Sequence, residues 1–99
     1  MGHRDFFGQA LRRARKARGM TQEDFSTPSS RTYVSMLERG VRSPTLAKIN
    51  ELSETLGIHP LTLLALAYAG SATPAEFHKL LAEVERQAVA VLKANSPTK

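Results

Sequence analysis

Residues 21–40 read TQEDFSTPSSRTYVSMLERG, and their capping and apolar residues predict how the chain folds. It opens with Thr21 followed by Gln-Glu-Asp, the pattern of a capping box, which predicts that a short helix begins here. Pro28 disfavours helical geometry at the residue before it and removes a backbone donor, so this helix ends early and a tight turn follows. Ser29 or Ser30 can then cap a further helix. We therefore expect two helices joined by a tight turn.

The second of these helices, expected over residues 30–39, has two different faces. With 3.6 residues per turn, Tyr33, Val34 and Leu37 fall within about a third of the circumference and face the core. The opposite arc is short, polar and basic. It consists of Thr32, Ser35 and Arg39, flanked by Arg31 and Met36.

The rest of the chain predicts further helices and no strand. A proline-free stretch over 6–18 with apolar residues at helical spacing predicts the first helix. Start signals of a capping residue followed by proline predict helices over 43–57, 59–70 and 73–94. The apolar stripe expected to bury the helix over 43–57 is Leu46, Ile49, Leu52 and Leu56. We assign residues 1–70 to one domain.

The last two helices carry more apolar residues than one face needs. The helix over 61–68 is apolar in nearly every direction, so it must be buried on both sides, and one side plausibly meets a second subunit. Residues 71–99 form a C-terminal extension with a long helix and a short disordered tail. Its apolar residues follow a heptad-like spacing, so it either folds back on its own core or pairs with another chain. The expected interface residues are Leu61, Leu64, Tyr68, Phe77, Leu81 and Val84.

The composition narrows the class of protein. A chain of 99 residues with 41% hydrophobic and 6% aromatic residues suits one compact helical domain. There is no cysteine, and the three histidines are scattered, so we expect no disulfide, no metal and no cofactor. The longest apolar run is too short to cross a membrane, and no signal peptide opens the chain. Together with the lack of cysteine, this predicts a cytoplasmic protein. No nucleophile–base pair or glycine-rich loop is evident, so we do not expect an enzyme.

The excess positive charge lies in the first part of the chain. Residues 1–42 carry nine Lys or Arg against four Asp or Glu, whereas residues 43–99 carry five of each. A basic surface suits a polyanion, because Lys and Arg that neutralise phosphates release condensed counterions. A solvated basic helix is the alternative that charge alone leaves open. The polar arc favours DNA, since Arg can bond guanine and Thr32 or Met36 can touch a thymine methyl.

Three stretches carry a resemblance to a known family: GMTQEDF at 19–25, SRTYVSMLERG at 30–40 and SPTL at 43–46. They closely resemble the Cro and lambda-repressor-like helix-turn-helix family, of the xenobiotic-response-element type. That family includes restriction-modification controller proteins and many phage and plasmid repressors. The resemblance covers about residues 7–68. It implies an all-α, five-helix DNA-binding domain, here with an additional long C-terminal helix.

The resemblance also implies roles for single residues. Of the DNA-binding residues, Gln22 would hold a phosphate, and Arg31, Thr32 and Ser35 would face bases. The residues near the DNA backbone would be Arg39, Arg42 and Ser43. Arg15 and Glu38 would form a structural ion pair, and the helix over 59–70 would form a dimer contact. One departure is the link over 26–30, which is two residues shorter than the family's and leaves the angle of the recognition helix open. The complete predicted DNA-binding set is Gln22, Ser30, Arg31, Thr32, Ser35, Met36, Arg39, Arg42 and Ser43.

These observations predict a sequence-specific DNA-binding regulator of transcription. We expect a repressor that acts as a homodimer on a palindromic operator in double-stranded DNA. The alternative is a protein-interaction module, such as an antitoxin, whose C-terminal helix binds a partner protein. No membrane contact is expected in either case.

Overall fold

The structure is a computed structural model that describes the backbone of residues 3–25 and 28–95 and the side chains of residues 6–25 and 31–95. Thr27, the first residue of the tight turn expected at 27–29, and residues 96–99 of the disordered tail expected at 95–99 lie outside the described residues. Within them every regular element is helical. The elements are α1 (His3–Ala17), a 3₁₀ turn (Gln22–Asp24), α2 (Pro28–Glu38), α3 (Leu46–Leu56), α4 (Pro60–Ala69) and α5 (Pro74–Ala94).

Several helix ends follow the predicted signals. Gly57 ends α3 in the left-handed conformation, with φ of 75°, and its N–H donates to the carbonyls of Ser53 and Glu54. Thr73 caps α5, where its hydroxyl accepts from the Glu76 N–H at 3.1 Å and its own N–H donates to the Glu76 carboxylate at 2.9 Å. These ends fix where α3 stops and where α5 begins.

The helix expected between Thr21 and the proline is a single 3₁₀ turn. The Asp24 carboxylate accepts from the Thr21 N–H at 2.8 Å, so the acidic residue does close the start of the turn. Pro28 is the first residue of α2 and not part of a preceding turn, which corrects our prediction. Proline suits the first helical position because its φ is already helical and its missing N–H would have no partner there. The earlier start of α2 leaves too few residues for a full helix before it.

The start of α3 also differs from the prediction. Thr45, and not Ser43, caps the helix, with its hydroxyl accepting from the Lys48 N–H at 3.2 Å. Leu46 is therefore in the first turn and is 71% exposed, so its predicted place in the core is wrong. The later start puts the whole segment up to residue 44 into the loop after α2.

One apolar core joins α1, α2, α3, α4 and the residue that follows the 3₁₀ turn. Tyr33 lies at its edge and is only partly buried. In α4 only Leu63 and Ala67 are buried, so the expectation that α4 is covered on both sides fails within a single chain. The buried apolar residues are Phe7, Ala10, Leu11, Ala14, Phe25, Val34, Leu37, Ile49, Leu52, Leu56, Leu63 and Ala67.

The long helix α5 extends from this core and does not fold back over it. None of its described residues is buried, so the alternative in which α5 covers its own core is wrong. Near the start of α5, Phe77 and Leu80 are half-buried, whereas residues 81–95 are all exposed. The two helices thus leave an apolar groove open to solvent. Among the described residues, no helix is long and apolar enough to cross a membrane.

Candidate nucleic-acid interface

The outward side of α2 consists of Arg31, Thr32, Ser35, Met36 and Arg39, which we call the reading face. Its ends, including both arginines, are exposed, and its centre is half-exposed. The opposite side of the same helix is buried, with Val34 and Leu37 retaining 1% and 0% of their surface. The helix is therefore packed against the core on one side and exposes a polar, basic side to solvent. The side chain of Ser30, also predicted to bind DNA, lies outside the described residues.

Glu38, in the last turn of α2, holds this helix against α1. Its side chain has no exposed surface. Arg15 of α1 donates to it twice, from Nε to Oε2 at 2.7 Å and from Nη2 to Oε1 at 3.0 Å. The same guanidinium donates from Nη1 to the carbonyl of Met20 at 2.9 Å. The structure thus brings together the two residues expected to pair, and it adds a link to the chain between α1 and the 3₁₀ turn.

Gln22 is the third member of this cluster. Its side-chain amide donates to Glu38 Oε1 at 3.0 Å, which ties the 3₁₀ turn to the end of α2. Arg12 is the fourth member and contributes a third charge, with Nε at 3.6 Å from the same oxygen. The sequence predicted that Gln22 contacts a DNA phosphate, whereas in the structure its amide donates to Glu38 within the protein. Because an amide nitrogen carries two hydrogens, this bond and a phosphate contact are compatible.

The surroundings of Glu38 set its charge. Burial raises its pKa, and this is the largest single effect. Hydrogen bonds from Arg15 and Gln22, with the charges of Arg15 and Arg12, act in the opposite direction and bring the pKa below its ordinary value of 4.5. The hydrogen bond to Glu38 raises the pKa of Arg15 in turn. The cluster is therefore ionised at neutral pH.

Each flank of the reading face meets a charged neighbour. On the side of the 3₁₀ turn, Arg31 Nη1 lies 3.9 Å from Glu23 Oε2. On the side of α3, the Lys48 ammonium lies 5.4 Å from the centre of the Tyr33 ring and 3.2 Å from Glu51 Oε1. A cation over an aromatic ring is held by the negative face of that ring. One flank therefore places a carboxylate beside Arg31, and the other places a cation beside Tyr33.

The loop after α2 carries the remaining predicted residues. Arg42 and Ser43 are both exposed, just beyond the end of the reading face. Arg39, at that end, donates from Nε to the carbonyl of Ser35 at 3.3 Å. The helix end and the loop together extend the basic surface in one direction. The predicted backbone-contact residues thus lie next to the predicted base-contact residues.

The predicted interface residues line the groove between α4 and α5. Its volume is about 730 Å³, and its lining is mainly apolar. Leu61 and Tyr68 are 66% and 69% exposed, and Leu81 and Val84 are 41% and 50% exposed. All six predicted interface residues line this one groove, Leu64 and Phe77 included. This is a large apolar surface for a single small chain to leave in water.

The part of the chain that carries the reading face also matches known proteins. The helix-turn-helix family pattern matches residues 11–63, more than half of the chain. The chain belongs to the helix-turn-helix family. It is of the xenobiotic-response-element type, as the resemblance predicted, and the all-α lambda-repressor-like fold is confirmed. The matched residues include the whole reading face and end before α5.

Two curated relatives agree with this assignment. The chain is 38% identical over 66 residues to the uncharacterized HTH-type transcriptional regulator y4dJ of Sinorhizobium fredii, covering 65% of this chain and 86% of the relative. It is also 38% identical over 68 residues to control protein C.BamHI of Bacillus amyloliquefaciens, covering 66% and 84%. No solved structure matches the chain significantly. The protein is a transcriptional regulator with a helix-turn-helix DNA-binding domain.

Sequence reasoning missed the charged partners on both flanks. Glu23 was seen only as an acidic residue in a first turn, and Lys48 was not singled out. No local spacing reveals the pair of Arg31 with Glu23 or the contact of Lys48 with Tyr33, because each joins two elements that only the folded chain brings together. The ion pair of Lys48 with Glu51 was a readable signal, since the two residues lie three positions apart on one helix.

Proposed function

We propose that this protein is a transcriptional repressor that binds a palindromic operator as a homodimer. The observation that carries the proposal is the two-sidedness of α2. Its polar, basic face is open while Val34, Leu37 and Glu38 fix the other side to the core. A helix held in this way can enter the major groove without losing its orientation. We place the protein in the cytoplasm with the DNA it regulates, and we assign it no catalytic role.

In this proposal the contacts divide into two groups. Arg31, Thr32 and Ser35 read base edges, and Met36 touches a thymine methyl. Backbone phosphates are held by the residues around them, which give salt-sensitive affinity without sequence preference. The phosphate-contact residues are Gln22, Ser30, Arg39, Arg42 and Ser43. All of those whose side chains the structure describes lie on the 3₁₀ turn, α2 or the loop that follows.

The second subunit is proposed to cover the groove between α4 and α5. Support comes from the exposure of Leu61, Tyr68 and Val84, which a partner of the same kind would bury symmetrically. Residues 71–99 then act as a dimerisation extension of the DNA-binding domain. A two-fold dimer presents two reading faces to successive major grooves about 34 Å apart, so its operator is expected to be palindromic.

Selection of bound sequences from a random duplex pool tests this proposal. We expect a palindrome whose half-sites are separated by about 10 base pairs. The selected operator is then titrated with Arg31→Ala and with Arg86→Ala, a matched loss of one exposed arginine on α5. Arg31→Ala should cost about 1–3 kcal/mol of discrimination between operator and scrambled duplex, whereas Arg86→Ala should cost none. An equal loss of affinity for both duplexes would show that Arg31 does not read bases.

A second candidate function is binding of a different protein through α5, as an antitoxin would. The exposed apolar seam of α5 favours it as much as it favours a second copy. The mass of the protein purified from its native host separates the two. A mass of twice the chain supports the dimer, and one stoichiometric partner that protects Phe77 and Leu81 supports the second function.

A further inference from the structure

We propose that Glu23 is a specificity-determining residue that holds the guanidinium of Arg31 away from DNA phosphates and stays paired with it when Arg31 bonds a matching base. The proposal rests on the proposed function, because it takes Arg31 to read bases. The observation behind it is the pair that joins the 3₁₀ turn to the reading face, with Arg31 Nη1 at 3.9 Å from Glu23 Oε2.

Glu23 differs from the other acidic residues around the reading face. The carboxylate of Asp24 accepts from the N–H of Thr21, which uses it to close the 3₁₀ turn. The carboxylate of Glu38 is buried and accepts from Arg15 and Gln22. Glu23 keeps 76% of its side chain exposed, and the partner it meets is on the reading face. An exposed carboxylate at a surface that attracts a polyanion therefore has a use other than stabilising the fold.

The energetics of the pair suit a selective contact. Exposed ion pairs contribute little to folding because water screens them and both side chains lose freedom. The same weak attraction still competes with a phosphate for the guanidinium. To bond a phosphate on a mismatched site, Arg31 must leave Glu23, and the carboxylate then stands near the DNA backbone without its counter-charge. On a matching guanine the pair is kept, because the guanidinium has five N–H donors and can bond the base bidentately while Nη1 stays beside Glu23. Disfavouring the wrong ligand is a general route to specificity.

The experiment is a double-mutant cycle on DNA binding. Dissociation constants are measured for the selected operator and a scrambled duplex, over a series of salt concentrations, with the unmodified protein, Glu23→Gln, Arg31→Ala and the double variant. Glu54→Gln, which removes one exposed charge from α3, is the matched control. Thermal melting of each variant confirms that it is folded. Both exchanged side chains are exposed, so we expect no loss of stability.

We expect Glu23→Gln to tighten binding to scrambled duplex by up to about fivefold and to leave operator binding nearly unchanged, so the ratio of the two affinities falls. This effect should disappear when Arg31 is already alanine, and Glu54→Gln should not produce it. Equal tightening on both duplexes, or the same effect without Arg31, would overturn the inference. If the unmodified protein itself did not prefer operator to scrambled duplex, the proposed function would fail instead.

Discussion

Gly8 of α1 packs directly against the backbone of Leu37 in α2. A Cβ built on Gly8 would lie 2.4 Å from the carbonyl oxygen of Leu37, and 2.9 Å from that of Glu38. No flexible side chain separates the two helices at this point, so nothing there can move aside. The end of α2 therefore packs against a glycine, the one residue type that lacks a side chain.

The first prediction is that Gly8→Ala destabilises the protein although alanine favours helices. The added methyl must push α1 away from α2, and overpacking of this kind costs about 1–3 kcal/mol. Urea denaturation measures the loss. Gln9→Ala, at the next and exposed position of α1, is the control and should change stability by only a few tenths of a kcal/mol. A variant of Gly8 as stable as the original would show that the helices are further apart.

The second prediction concerns Glu38→Gln. Removing one charge of a buried pair leaves Arg15 uncompensated, and this costs about 3–5 kcal/mol at neutral pH. Glu83 is the control. Its pKa is also lowered, by hydrogen bonds from Arg86 and Gln87, but it is fully exposed, so Glu83→Gln should have no measurable effect. Similar losses of stability in Glu38→Gln and Glu83→Gln would show that burial of the pair is not what makes Glu38 important.

The third prediction is the pH dependence of the same pair. Because the folded-state pKa of Glu38 is below its ordinary value of 4.5, its contribution to stability is complete above that value. The contribution is lost as the pH falls through the lowered folded-state pKa. The difference in unfolding free energy between the original protein and Glu38→Gln should therefore narrow in acid. Denaturation midpoints on both sides of 4.5 measure it, and a constant difference would be the contrary result.

The fourth prediction concerns Ser53, which is fully buried in α3. Within the part of the chain that the structure describes, its Oγ has no hydrogen-bond partner. Ser53→Ala removes an unsatisfied polar group, so we expect stability to be unchanged or to rise by about 1 kcal/mol. Thr55→Ala, at an exposed position of the same helix, is the control in the same denaturation series. A clear loss at Ser53 would reveal a partner for the hydroxyl.

The fifth prediction tests the groove between α4 and α5. Leu81→Glu places a charge among its apolar lining and should shift a dimer to monomers, which sedimentation measures. Ala90→Glu adds the same charge on the opposite side of α5, two and a half turns further along the helix, and should leave the mass unchanged. Operator affinity should fall with Leu81→Glu alone. Two variants that both stay dimeric would place the subunit contact elsewhere.

Local signals predicted most of the helices. Gly57 and Thr73 end and begin helices where their chemistry indicated, because caps depend on a few adjacent residues. The same signals failed where two residues of equal chemistry compete. Ser43 and Thr45 both precede the apolar run of α3, and only the packed position of the helix selects Thr45. Pro28 was ambiguous in the same way, since proline both ends helices and begins them.

Contacts between elements could be predicted only through the family resemblance. It named Arg15 and Glu38 as partners, but it did not indicate that Gln22 would join them. The exposure of α5 was equally beyond reach, because a heptad-like seam has the same spacing whether it meets its own core or another chain. What the sequence lacked in each case was the relative position of two helices.

Glu38 is shared by α1, the 3₁₀ turn and α2 through Arg15 and Gln22. The carboxylate of this α2 residue binds two neighbouring elements, which restrains α1, the 3₁₀ turn and α2 from tilting separately. If the reading face meets DNA as proposed, we expect these three elements to move together. When an operator departs from ideal geometry, we expect the duplex to bend or change its groove width, and the stiffness of its base steps then adds to recognition at positions no side chain touches.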